Sequence, residues 1–168
     1  MLGTNDFQFS HPYNDAWSAA QGIAMLVNEI RKAPIEPGVP VPPVLIVSPP
    51  QIRSPRGSIA AKFRGAELKC TGLAEAYVQV ALSLVCHFFD AETVTSASNV
   101  DGVHLDPDQH LKLGNALAEI VQSILTSPST RLAMTVSLRI RRPRPSDGNP
   151  EVVPSRKSAW RKHSAVEC

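Results

Sequence analysis

Val44-Leu45-Ile46-Val47 is the stretch that most restricts the fold. Four consecutive apolar residues, three of them β-branched, lie between Pro42-Pro43 and Ser48-Pro49-Pro50. A half-solvated strand alternates apolar and polar residues. An uninterrupted run reads instead as a strand covered on both faces, as in a parallel sheet between helices. Parallel strands cannot be joined by a hairpin, so the flanking chain must supply helical crossovers.

The segments on either side carry that periodicity. Asp15 or Asn14 can cap a helix running to about Lys32, with Ile23, Leu26, Val27 and Ile30 on one face. Arg31 and Lys32 close it, where cations favour a helix C-terminus. Residues 33–43 hold five prolines and must be extended loop. After the strand, a long helix is expected over about 64–86, burying Leu73, Ala76, Tyr77, Val80, Ala81, Leu84 and Val85. His87-Phe88-Phe89-Asp90 reads as a second short strand, followed by a polar loop over 91–103. Pro107 suits the first position of a final helix that Asp106 would cap, running to about Thr126. Leu111, Leu113, Leu117, Ile120, Val121, Ile124 and Leu125 would form its apolar side. Met1-Leu2 reads as the last piece of a strand entering a turn. The order is helix, strand, helix, strand, helix, which places the chain in the α/β class with parallel strands and helices on both faces.

Composition is compatible with one packed domain and a tail. Of 168 residues, 43% are hydrophobic, enough to bury a core. Residues 1–130 hold 8 basic and 12 acidic side chains, whereas 131–168 hold 9 and 3. This break divides a domain over 1–127 from a basic, Pro-, Arg- and Ser-rich extension over 128–168. Apolar and polar residues alternate over 131–141, so a strand is expected there, with disorder beyond. Arg139, Arg141, Arg142, Arg144, Arg156, Lys157, Arg161 and Lys162 could contact nucleic acid or anionic lipid. Without a motif or aromatic interleaving, a solvated extension is the better reading and no nucleic-acid partner is expected. Cys70, Cys86 and Cys168 fit no zinc or redox spacing, and Cys70 and Cys86 read as ordinary buried thiols. They suggest a reducing, cytoplasmic setting. No apolar run is long enough to span a bilayer.

Two short motifs fall on loops where parallel α/β sheets place their ligands, beyond the carboxyl ends of the strands. In Asp101-Gly102-Val103-His104, a carboxylate three residues before the histidine can reach one imidazole nitrogen. It would fix the tautomer and stabilise the charged ring of a general base. In Gly3-Thr4-Asn5-Asp6, the amide of Asn5 can donate to a developing oxyanion. Both motifs also have plain readings, a solvated loop histidine and a simple turn, and on spacing alone those are preferred. A hard-cation site built from Asp101, His104, Asp106 and Asp108 is a weaker alternative, because Asp106 is better used as a helix cap.

Together, and in this order, the two motifs resemble the third and last motifs of the SGNH hydrolase, or GDSL esterase/lipase, family. Val47-Ser48-Pro49-Pro50, Phe88-Phe89-Asp90-Ala91 and Leu113 to Ala118 resemble its small-substrate esterase and acyltransferase branch. The resemblance covers about residues 1–127. It implies a partial three-layer α/β/α, flavodoxin-like fold lacking its N-terminal strands. It implies His104 as general base, Asp101 as its orienting carboxylate, Asn5 as an oxyanion donor and Gly3 as a point of close backbone approach. The implied reaction is transfer or hydrolysis of an ester acyl group through an acyl-serine, with a small ester as substrate and no cofactor or metal. The family nucleophile lies in a Gly-Asp-Ser motif that this sequence does not contain. The second oxyanion motif is absent as well, and Ser48, Ser96 and Ser98 do not replace the missing serine. A fragment with little activity by itself is therefore expected, self-associating through exposed apolar faces. The alternative is a non-catalytic binding or complementing module on the same half-fold.

Overall fold

A computed structural model describes residues 1–33 and 39–127. The alternating segment 131–141 and the rest of 128–168 lie outside the described residues, as does part of the proline-rich stretch. The elements are α1 (Ala16–Lys32), β1 (Leu45–Ser48), α2 (Ala66–Lys69), α3 (Leu73–Ser83), β2 (His87–Asp90) and α4 (Pro107–Thr126), with short 3-10 turns at Thr4–Phe7, Gly57–Ile59 and Ala91–Thr93.

The apolar run pairs as expected, one residue later in the chain. β1 and β2 are parallel, with Leu45 opposite His87 and Ser48 opposite Asp90. The strand side chains alternate between two apolar layers. Ile46 and Phe88 join α1 and α3 in a core with Phe7, Val27, Phe63, Leu73, Tyr77 and Val80. Val47 and Phe89 face the other way, packing with Leu113 and Leu117 of α4. Helices thus cover both faces of the sheet, which is the three-layer α/β arrangement. The central residues of both strands, Ile46-Val47 and Phe88-Phe89, are apolar in succession because each face meets a different helix layer.

Several local expectations needed revision. The helix expected over 64–86 is two helices, broken at Gly72, which adopts φ +82°. A left-handed residue cannot continue a right-handed helix, and glycine takes that conformation without steric cost. Val85 does not complete the buried stripe: it is 88% exposed, beyond the end of α3. On α4, Leu113 and Ile124 are buried, but Leu111, Val121 and Leu125 are exposed. On α1, Val27 is buried while Leu26 and Ile30 are exposed. Met1-Leu2 is not a strand, because among the described residues β1 and β2 pair only with each other.

The charged ends of α1 act differently from each other. Asp15 caps the helix as expected, accepting from the Ser18 N–H at 2.8 Å. Lys32 makes an exposed pair with Glu29, the kind that adds little stability. Arg31 reaches across to the end of α3, donating to the Leu84 carbonyl at 2.6 Å and the Val85 carbonyl at 3.4 Å. It satisfies the terminal carbonyls of the neighbouring helix as well as its own dipole. Cys86 lies in the link to β2 and not in a helix, and its thiol faces Arg31 at 3.4 Å. Cys70 is buried as expected, and burial raises its thiol above the ordinary range. Among the described residues no helix is long and apolar enough to cross a membrane.

Val85 is held at φ +51°, a conformation in which a β-branched side chain is strained. Its side chain makes little use of the interior, so Val85→Gly should raise stability by about 1 kcal/mol. Urea unfolding monitored by far-ultraviolet dichroism checks this. A lower midpoint in the variant would show that the turn is not strained.

Candidate active site

The Asp101–His104 pair sits on the loop that follows β2. Asp101 accepts two backbone N–H bonds on Oδ1, from Val103 at 2.8 Å and His104 at 3.0 Å. Its Oδ2 lies 2.6 Å from Nδ1 of the His104 ring. Placing the proton on Nδ1 is the assignment this contact demands, because an ionised carboxylate can only accept. Partial burial of Asp101 works against its charge. The N–H donors from Val103 and from the His104 ring and backbone outweigh that, and they hold the carboxyl below its ordinary range. The His104 side chain is 66% exposed and that of Asp101 only 25%. Among the described residues Nε2 of His104 has no hydrogen-bond partner. The ring is therefore anchored on one nitrogen and open on the other, the arrangement a general base needs.

Backbone contacts with the loop after β1 hold this segment. The Arg53 N–H donates to the Gly102 carbonyl at 2.8 Å and the Arg56 N–H to the Asp101 carbonyl at 2.9 Å. The Arg53 guanidinium donates to Oδ1 of Asn99 at 2.7 Å. Gly102 adopts φ +79°, and a Cβ there would stand 2.5 Å from the Ser54 carbonyl oxygen. The close approach of the two loops, and with it the spacing of Asp101 to His104, depends on that missing side chain.

The Gly3–Asp6 segment enters the 3-10 turn Thr4–Phe7, and Gly3, which precedes that turn, packs on Leu73 and Tyr77 of α3. The space a Cβ would fill at Gly3 is taken by the Tyr77 hydroxyl, and that hydroxyl donates to the Leu2 carbonyl at 3.1 Å. Tyr77 is fully buried, and burial keeps its phenol neutral as a donor. Asn5 is exposed, its Oδ1 accepting from Gln8 Nε2 at 3.0 Å. Among the described residues its Nδ2 donates to nothing, so the amide nitrogen is available. It borders a cleft of about 500 Å³ formed by residues 1–6 with Ala19, Gly22, Ile23 and Leu26. No hydrogen bond joins Asn5 to the Asp101–His104 pair, and the cleft does not include them.

Most of the serines and carboxylates weighed from sequence have other side-chain partners. Ser48 is fully buried, its hydroxyl directed to the Pro49 carbonyl. The Ser96 N–H donates to Gln109. Ser98 is buried and its hydroxyl donates to Asp106 at 2.7 Å. Asp106 stands at the N-cap of α4 as expected, but its side chain makes no capping bond. Asp108 serves Lys112 and Gln109. Each of the four groups considered for a hard cation is thus turned to a separate neighbour, with only Asp101 and His104 joined. Among the described residues no three metal-ligating side chains cluster. Gln8, which orients Asn5, and the Arg53 and Arg56 amides, which brace the loop, carry no signal in the sequence. The need for a positive φ in Asp101-Gly102 was readable, since Gly is the residue for such a turn.

Solved structures share this fold. A carbohydrate acetylesterase family member from Sinorhizobium meliloti aligns at TM-score 0.70 with 35% identity, over 76% of this chain and 60% of its own. The native aryl esterase of M. smegmatis aligns at 0.67 and 37%, over 74% and 59%. A second carbohydrate acetylesterase from S. meliloti aligns at 0.65 and 29%, over 74% and 59%. No family profile and no curated protein matches the chain. The described chain has the α/β fold of these esterases, in line with the resemblance of its two motifs to the SGNH hydrolases. It spans about 60% of the length of the solved structures it matches.

Two outcomes test this geometry. Gly102→Ala should cost about 1–3 kcal/mol in chemical unfolding, because it forces a side chain into a left-handed residue against a carbonyl. The depressed carboxyl of Asp101 contributes stability that is fully present above about pH 4 and lost as pH falls through its folded value. The melting temperature of the wild type should therefore fall more steeply below about pH 4 than that of Asp101→Asn. Parallel curves would show that the pair does not stabilise the fold.

Proposed function

We propose that this chain supplies the base and oxyanion half of an SGNH-type ester hydrolase or acyltransferase acting on small esters. The observation that carries the reading is the His104 ring, tied at Nδ1 to Asp101 and open at Nε2 beside a parallel sheet edge. A serine hydroxyl brought to Nε2 would give up its proton as its oxygen attacks the ester carbonyl. His104 would then return that proton to the departing alcohol, while Asp101 stabilises the transient imidazolium. Asn5 Nδ2 would donate to the carbonyl oxygen as it gains charge, and Gly3 would allow close approach of its own backbone. Similarity to acetylesterases and aryl esterases supports acetyl or aryl esters as the substrate class.

The serine is the missing partner. The sequence has no Gly-Asp-Ser, and the hydroxyls of Ser48 and Ser98 are engaged elsewhere. Removing a triad nucleophile lowers turnover by on the order of 10⁶, so the chain by itself should turn over esters feebly. The second reading, a non-catalytic complementing module, is favoured by the large apolar side chains left exposed on α1, where Trp17 is 67% and Met25 70% exposed. Such a module would bind another polypeptide or a second copy through that face.

Hydrolysis of p-nitrophenyl acetate separates the two. Weak turnover by the wild type that disappears in His104→Ala supports the base assignment. Turnover that is unchanged in His104→Ala would remove the dyad from the reaction and leave the binding reading.

A further inference from the structure

Ser98 makes four hydrogen bonds within nine residues, and they fall on every second residue of the active loop. Its hydroxyl accepts from the Val100 N–H at 3.0 Å. Its carbonyl accepts from the Gly102 N–H at 2.9 Å, and its own N–H donates to the His104 carbonyl at 2.7 Å. Its hydroxyl also donates to Oδ1 of Asp106 at 2.7 Å. Residues 100, 102, 104 and 106 are thus all fastened to one side chain and its peptide group, which is 3% exposed. From these bonds we infer that Ser98 and Asp106 form a positioning pair for the Asp101–His104 dyad, an inference that rests on the base assignment above.

The physical case turns on Asp106. A carboxylate before Pro107 should cap α4, satisfying an N–H of the first helical turn. In the structure that side chain makes no capping bond and accepts from Ser98 instead. A charge-assisted O–H···O bond is stronger than a neutral one, and here it replaces the cap. The first turn of α4 is thereby tied to the residue that holds the far end of the loop. The helix start, the loop and the His104 carbonyl become one rigid unit. Asp101 is left free to give both oxygens to Val103 and His104. Without the Ser98 hydroxyl, Asp106 can turn back to cap the helix. The loss should therefore fall on the loop and spare α4.

Amide hydrogen exchange by nuclear magnetic resonance reads this directly and needs no turnover, so its outcome is independent of the esterase assay. The reporters are the Val103 and His104 amides, which donate to Asp101, with Leu113 in α4 as the reference. In Ser98→Ala the two loop amides should exchange at least about tenfold faster, the factor equivalent to the low end for a hydrogen bond to a charged group. Leu113 should stay at its wild-type rate, and the Nδ1-bound proton of His104 should broaden. Ser98→Thr, which keeps the hydroxyl, should restore the wild-type rates. Should Ser98→Ala not fold, Asp106→Asn is read in the same way, since it keeps the size but removes the charge from the same bond. Unchanged loop amides would overturn the inference. So would acceleration in step with Leu113, because Ser98 would then serve the general stability of the fold and not the dyad.

Discussion

The parallel pairing of Leu45–Ser48 with His87–Asp90 is the interaction on which the rest depends. Only four residues pair on each side, so the ladder is held by what covers it more than by its own bonds. Ile46 and Phe88 face α1 and α3, while Val47 and Phe89 face α4. The common direction of the two strands brings the loops that follow them to the same edge. There the Arg53 and Arg56 amides meet the carbonyls of Gly102 and Asp101. This is the edge at which parallel α/β sheets place their ligand sites.

Local chemistry then gives that edge its character. One carboxylate, Asp101, orients a backbone turn and an imidazole with its two oxygens. Fixing the turn and fixing the ring are a single act, so the imidazole is pre-organised by the same bonds that shape its loop. Arg31 plays a comparable part on the opposite side of the sheet. It takes up the carbonyls at the end of α3 and so fixes the entry into β2.

The legible parts of this structure were those with a strong local signal. The two strands, α1 with its Asp15 cap, and α4 from Pro107 to Thr126 follow from apolar runs, helical spacing and capping residues. The Asp101–His104 contact was also readable, because a three-residue spacing across a glycine turn is short enough to be local. The failures have two causes. Gly72 interrupts a helix whose composition otherwise continues smoothly, and propensity alone cannot say that a break is chosen over a continuous helix. Exposed Val85, Val121 and Leu125 belong to apolar stripes wider than the surface available to cover them.

The sequence by itself determined the α/β class, the alternation of helices and strands, and the reach of Asp101 to His104. These depend on neighbours along the chain and on periodicity. Only the tertiary structure decided which partner each polar group takes. Asp106 binds Ser98 and not its own helix, Arg31 binds α3, and Tyr77 fills the space beside Gly3. The same holds for the first motif, whose Asn5 amide is free but makes no bond to the Asp101–His104 pair. Hydrogen-bond donors and acceptors are interchangeable in a linear sequence. Folding makes them specific, because each buried polar group must take a partner within reach in space.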